Sequence, residues 1–346
     1  MTTASLRIET TDMHTGGEPV RIVTSGYPPI PGATILAKRR HAREHLDHLR
    51  KLLIFEPRGH FDMYGVIPVE PDPPPPGAPT GTPPADLAVL FMHNEGYSTM
   101  CGHAVIALGR WAVDTGRVPL NAPETAFVIQ CPCGPVRVRV AIEDGRAGAV
   151  AFESVPAFAY ALDRAVEVPG HGRVHLDIGY GGAFYALVPA SRFGLDVRRS
   201  RIRDLVDAAA AVTEAAKAQV PLEHPEDRDL AFLYGTILTD GLDEWSEAPT
   251  ANACVFAERE VDRSPTGSGA TARIAVQYAK GLIRLGQERR FESVTGAMFT
   301  GKPLRALKAG RFDALTVEVS GRAHYTGTSQ FTWEPGDEIG QGFLLR

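Results

Sequence analysis

Met100-Cys101-Gly102-His103 and, 165 residues further on, Pro265-Thr266-Gly267-Ser268 each open a stretch with a helical pattern. They read as two copies of one device, the first offering a thiol and the second a hydroxyl. The same offset recurs outward from them. Asp12 with Gly16-Gly17 is matched by Asp177 with Gly181-Gly182, each ahead of an alternating apolar run. Gly116 and Gly281 close the two helical stretches, and Asp144-Gly145-Arg146 and Ala309-Gly310-Arg311 each precede a strand-like run. A period this long predicts two repeated domains rather than a solenoid. The first is expected over residues 1–160, carrying Cys101 and completed by the C-terminal tail 326–346. The second is expected over 170–325, carrying Thr266. Between Val155 and Arg173, Pro156 and Pro169-Gly170 interrupt the pattern and mark the junction.

Within each half the pattern predicts several strands around one helix, an α+β fold of two pseudo-symmetric strand-rich domains. Val136 to Val140 alternates with period two, as a half-buried strand does. His103 to Thr115 is apolar nearly all round, which marks a buried helix. Pro71 to Pro84, with four consecutive prolines at 73–76, predicts a stiff exposed loop.

The chain has 346 residues, 44% of them hydrophobic and 22% charged, as in a water-soluble globular protein. A net charge of −5 gives no reason to expect nucleic acid or an anionic membrane as partner. The basic cluster Lys38-Arg39-Arg40 with Arg43 is mixed with Glu44 and Asp47, and predicts a solvated helix face. Met1 to Thr11 lacks the apolar core of a signal peptide, and no apolar run is long enough to span a bilayer. A cytoplasmic location is expected, with Cys101, Cys131, Cys133 and Cys254 as free thiols.

At a helix N-terminus the first backbone N–H groups lack intrahelical partners and the dipole is positive. Gly102 and Gly267 would let a ligand approach that backbone closely, so a carboxylate could be held between two such ends. The same field is expected to lower the pKa of Cys101 and favour the thiolate that a general base requires. Cys101 could equally be a small buried hydrophobe, and Thr266 an ordinary N-cap. The C-x-C pair Cys131/Cys133 is weak as a metal site, and Cys254 reads as core.

Four segments carry a specific resemblance: Asp12-Met13-His14-Thr15-Gly16-Gly17-Glu18-Pro19, Glu56 to Gly65, Asn94 to His103, and Asp262 to Gly269. Together they resemble the proline racemase family, of the diaminopimelate-epimerase-like fold. The resemblance implies an active site in the cleft between two central helices, no metal, no organic cofactor, and often a homodimer. It implies that Cys101 is a catalytic base and that the amides of Gly102, His103, Gly267 and Ser268 hold the substrate carboxylate. His103 and Asp262 match side chains beside the substrate ring nitrogen, and His224 resembles a further substrate-lining histidine. The segment Glu56 to Gly65 is typical of the family and receives no role.

Racemases of that family carry cysteine at both turns, whereas threonine at the second resembles its trans-3-hydroxy-L-proline dehydratases. An aliphatic hydroxyl is too weak an acid to serve as the second racemisation base near neutral pH. Thr266 therefore points to loss of the 3-hydroxyl after Cys101 removes the α-proton. The competing readings are a proline or hydroxyproline 2-epimerase acting through water, and a non-catalytic binding protein for a small amino acid.

Overall fold

The structure, a computed structural model, describes residues 6–74 and 84–345, so most of the proline-rich stretch lies outside the described residues. The first part of the chain runs β1 (Arg7–Thr15), β2 (Glu18–Ser25), α1 (Ile35–His45), α2 (Asp47–Ile54), β3 (Tyr64–Val69), β4 (Leu87–His93), β5 (Gly96–Ser98), α3 (Gly102–Asp114), β6 (Glu124–Cys131), β7 (Gly134–Glu143) and β8 (Arg146–Glu153). It continues with β9 (Ala157–Val168), β10 (Gly172–Tyr180), β11 (Phe184–Pro189), α4 (Ile202–Gln219), β12 (Leu233–Thr239), β13 (Thr250–Phe256), β14 (Glu260–Asp262) and α5 (Gly267–Ala279). The chain ends with β15 (Arg289–Glu292), β16 (Met298–Ala309), β17 (Phe312–Gly321) and β18 (Ala323–Thr332).

The repeat is visible element by element. α3 and α5 each have 13 residues, and β1 and β10 each have nine. β18 pairs antiparallel with β1, as β9 pairs with β10. The last strand thus returns to the sheet of the first, and β9 occupies the expected junction while pairing into the second half. β8 and β17 pair with each other and join all strands into one hydrogen-bonded network.

Each central helix is enclosed by its half. In α3, every residue from Gly102 to Val113 is buried except Arg110. Burying side chains such as Val105, Ile106, Leu108 and Trp111 contributes roughly 1.5–3 kcal/mol each. Mid-helix glycine costs about 1 kcal/mol relative to alanine, yet a Cβ on Gly109 would lie 2.5 Å from Val150 Cγ1. Close approach of β8 requires the smaller residue. Gly116 and Gly281 end α3 and α5 in left-handed conformation, at φ +69° and +72°, and donate to the Val113 and Tyr278 carbonyls.

The basic cluster departs from expectation. Lys38 and Arg39 are buried on α1. Lys38 Nζ binds Asp72 Oδ1 at 2.7 Å and the Glu70 carbonyl at 2.9 Å, while Arg39 donates to the Tyr97 carbonyl. Partners distant in sequence satisfy these cations, and local charge mixing could not reveal them. Among the described residues no helix is long and apolar enough to cross a membrane.

Candidate active site

α3 and α5 meet end to end. A Cβ on Gly102 would lie 2.5 Å from the Gly267 Cα, and one on Gly267 would lie 2.7 Å from the Gly102 Cα. Only glycine permits this approach. It brings Cys101, Gly102 and His103 from one half against Thr266, Gly267 and Ser268 from the other. The first intrahelical bonds are Val105 N–H to Cys101 O and Ala270 N–H to Thr266 O. Earlier amides of both helices therefore lack intrahelical partners and converge on one place.

Cys101 and Thr266 each keep only 4% exposure, so the site is closed. Cys101 Sγ lies 3.2 Å from His103 Nδ1 and 3.5 Å from Nε2. Burial pushes the Cys101 thiol well above its ordinary range, aided by the Asp262 and Glu18 charges and opposed by the Ala104 N–H. Burial thus acts against the lowering expected from the helix terminus. Burial likewise lowers His103 to about 3, so its imidazole is neutral, with a hydrogen bond to the Pro19 carbonyl in partial opposition. Thr15 Oγ1 donates to the His103 carbonyl at 2.9 Å, and the Tyr64 ring meets the imidazole edge-on at 4.8 Å.

On the facing side, neither the Thr266 nor the Cys101 side chain caps its helix. The ordinary N-cap reading of Thr266 fails, because its backbone sits at φ +64° instead of the extended conformation usual for a cap. Left-handed φ is a strained conformation for a β-branched residue. Thr266 Oγ1 is buried and does not bond back to its own helix. It stands beside the Asp262 carboxyl and the Cys254 thiol, and draws both pKa values downward. Burial nevertheless raises Asp262 to about 6, held back by the hydroxyls of Ser264 and Thr266 and by the Ser264 N–H. Ser268 Oγ is 2.7 Å from Tyr185 Oη, which orients it inside the site.

His224 is not brought to this cluster. It lies among Tyr180, Phe158 and Phe184, with ring centroids 4.7, 6.3 and 6.3 Å away, in a separate cavity shared with Cys133 and Glu226. Burial lowers its pKa to about 4. Cys131 ends β6 and Cys133 follows in the turn, both buried. Cys254 is buried as expected, but it faces Asp262 across the β13–β14 pair and so adjoins the site.

Sequence reading also passed over Glu18, Tyr64 and Asp62. Glu18 is fully buried, and its Oε2 accepts from the Arg263 N–H at 2.7 Å.

This arrangement has relatives. A trans-L-3-hydroxyproline dehydratase from Xenopus tropicalis is 61% identical over 97% of this chain and 94% of its own length. A trans-3-hydroxy-L-proline dehydratase from Homo sapiens is 59% identical, with the same coverage of each chain. The crystal structure of a probable proline racemase from Agrobacterium radiobacter, with bound carbonate, superposes with a TM-score of 0.88 at 28% identity. It covers 98% of this chain and 96% of that one. The proline racemase family itself matches residues 10–344. With both helix starts falling inside that match, the chain belongs to the proline racemase family.

Proposed function

We infer that the protein removes water from trans-3-hydroxy-L-proline to give Δ1-pyrroline-2-carboxylate. The observation that carries this reading is Thr266 at the second helix start, where a two-base racemase needs a second thiol. A hydroxyl cannot return a proton to the far face at a useful rate near neutral pH. Elimination needs only one face. With the 3-hydroxyl trans to the carboxylate, that hydroxyl and the α-proton lie on the same side of the ring.

The converging amides of Gly102, His103, Gly267 and Ser268 receive the substrate carboxylate and stabilise the charge that builds there. Asp262 faces the ring ammonium. Cys101 Sγ and His103 Nδ1 are 3.2 Å apart, so the thiol proton can pass to the imidazole as sulfur takes the α-proton. The Cα–H electron pair becomes the Cα–C3 double bond, and the C3–O bond breaks. The imidazolium protonates the departing hydroxyl to water, which leaves a thiol and a neutral imidazole as at the start. The enamine then tautomerises to the cyclic imine. Thr266 lines the far face and positions the ring.

Incubating purified protein with trans-3-hydroxy-L-proline and following the imine tests this directly. Folded protein that forms no product overturns it.

A further inference from the structure

Two motifs without a role in the chemistry converge on one short strand. β14 pairs with β13 along one edge through Cys254↔Asp262, Val255↔Val261 and Phe256↔Glu260. Its other edge faces the first half of the molecule. There the Val261 N–H donates to Asp62 Oδ1 at 3.0 Å, and the Arg263 N–H donates to Glu18 Oε2 at 2.7 Å. Residues 261 and 263 are two apart, so both amides point from the same strand edge. Asp262 lies between them.

The contact is reinforced from both sides. Arg263 Nη2 reaches Asp62 Oδ2 at 3.1 Å, and Arg263 Nη1 donates to the Val261 carbonyl at 3.2 Å. In return, Glu260 Oε1 of β14 lies 2.9 Å from His93 Nδ1, and its carboxylate accepts from the amides of Asn94 and Glu95 at 3.3 Å. A buried backbone amide without a partner costs free energy comparable to a lost hydrogen bond. Two carboxylates of the first half thus stand where another strand would pair, and they can do so only when the halves are closed. Asp62 holds this place at φ +66°, a strained backbone for a non-glycine residue.

We propose that Glu18 and Asp62 are positioning residues that clasp the free edge of β14 on domain closure and so place Asp262 against the substrate. The role assigned to Asp262 rests on the dehydratase reading; the clasp itself rests on the hydrogen bonds. Glu18 and Asp62 belong to the Asp12–Pro19 and Glu56–Gly65 segments, and this gives each segment a physical task.

The test uses the full chain with Glu18→Met, Glu18→Gln and Asp62→Ala. Dehydration kinetics are read beside the rate at which iodoacetamide alkylates Cys101 in the free protein, followed by peptide mass spectrometry. Alkylation needs no turnover, so a failure of the dehydratase reading, seen as an inactive wild type, is distinguishable from a failure of the clasp. Glu18→Met keeps the volume and loses the acceptor. It should lower kcat/KM at least tenfold, mainly through KM, and speed alkylation at least fivefold. Glu18→Gln keeps an acceptor and should recover most of both effects. Asp62→Ala should behave as Glu18→Met does, and it carries the test if that variant does not fold. Values within twofold of wild type for both readouts overturn the proposal. Lost activity without faster alkylation also overturns it, because that pattern marks a local fault rather than lost closure.

Discussion

Gly102 and Gly267 touch through their backbones: a Cβ on Gly102 would lie 2.5 Å from the Gly267 Cα. This one contact between two helix starts makes a single site from two repeats.

Gly102→Ala tests that contact. In an exposed helix the change would stabilise by about 0.5–1 kcal/mol. Here overpacking should win and cost about 1–3 kcal/mol, read by urea denaturation. Separating the two helix starts should also lower kcat/KM by about 10²-fold, the scale of an ångström-sized misplacement. A variant as stable and active as wild type would show that the ends do not meet in solution.

Cys101→Ser keeps the size and removes the only thiol at these helix starts. Dehydration should fall by about 10²–10⁴-fold, the usual contribution of a positioned base, while thermal unfolding stays near that of wild type. Retention of more than a tenth of the activity would move the base elsewhere.

Thr266→Cys restores an acid–base group to the far face. The variant should gain deuterium exchange at the α-carbon of L-proline in D2O, measured by NMR, with stereoinversion. Wild type should show neither under the same conditions. Inversion by wild type would instead favour the epimerase reading.

The pH profile should carry the signature of Asp262, whose carboxyl burial raises to about 6. It must be ionised to face a ring ammonium, so kcat/KM should fall as pH drops through about 6. His103, lowered to about 3, stays neutral across that range and adds no limb. A limb near about 4, the ordinary aspartate range, would remove the assignment.

The duplicated architecture was legible because the repeat preserved glycines at positions that backbone geometry demands. Gly116 and Gly281 hold left-handed helix ends, and Gly102 and Gly267 permit the closest approach in the site. Lys38 and Arg39 misled because charge on a helix predicts solvent only when no distant partner intervenes. Asp72 and the Tyr97 carbonyl intervene here.

By itself the sequence determined the two repeats, the helix that each half encloses, and the thiol and hydroxyl at equivalent starts. These follow from local pattern: periodicity, capping glycines and a constant offset. Only the tertiary structure decided how those groups behave. The Cys101 thiol is pushed up, because burial removes the water that would solvate its thiolate. Thr266 does not cap its own helix, because its backbone departs from the cap conformation. The Glu18 and Asp62 carboxylates reach amides 245 and 199 residues away in sequence. Solvation and strand-edge pairing depend on what packs from the other side, and a linear pattern does not record that.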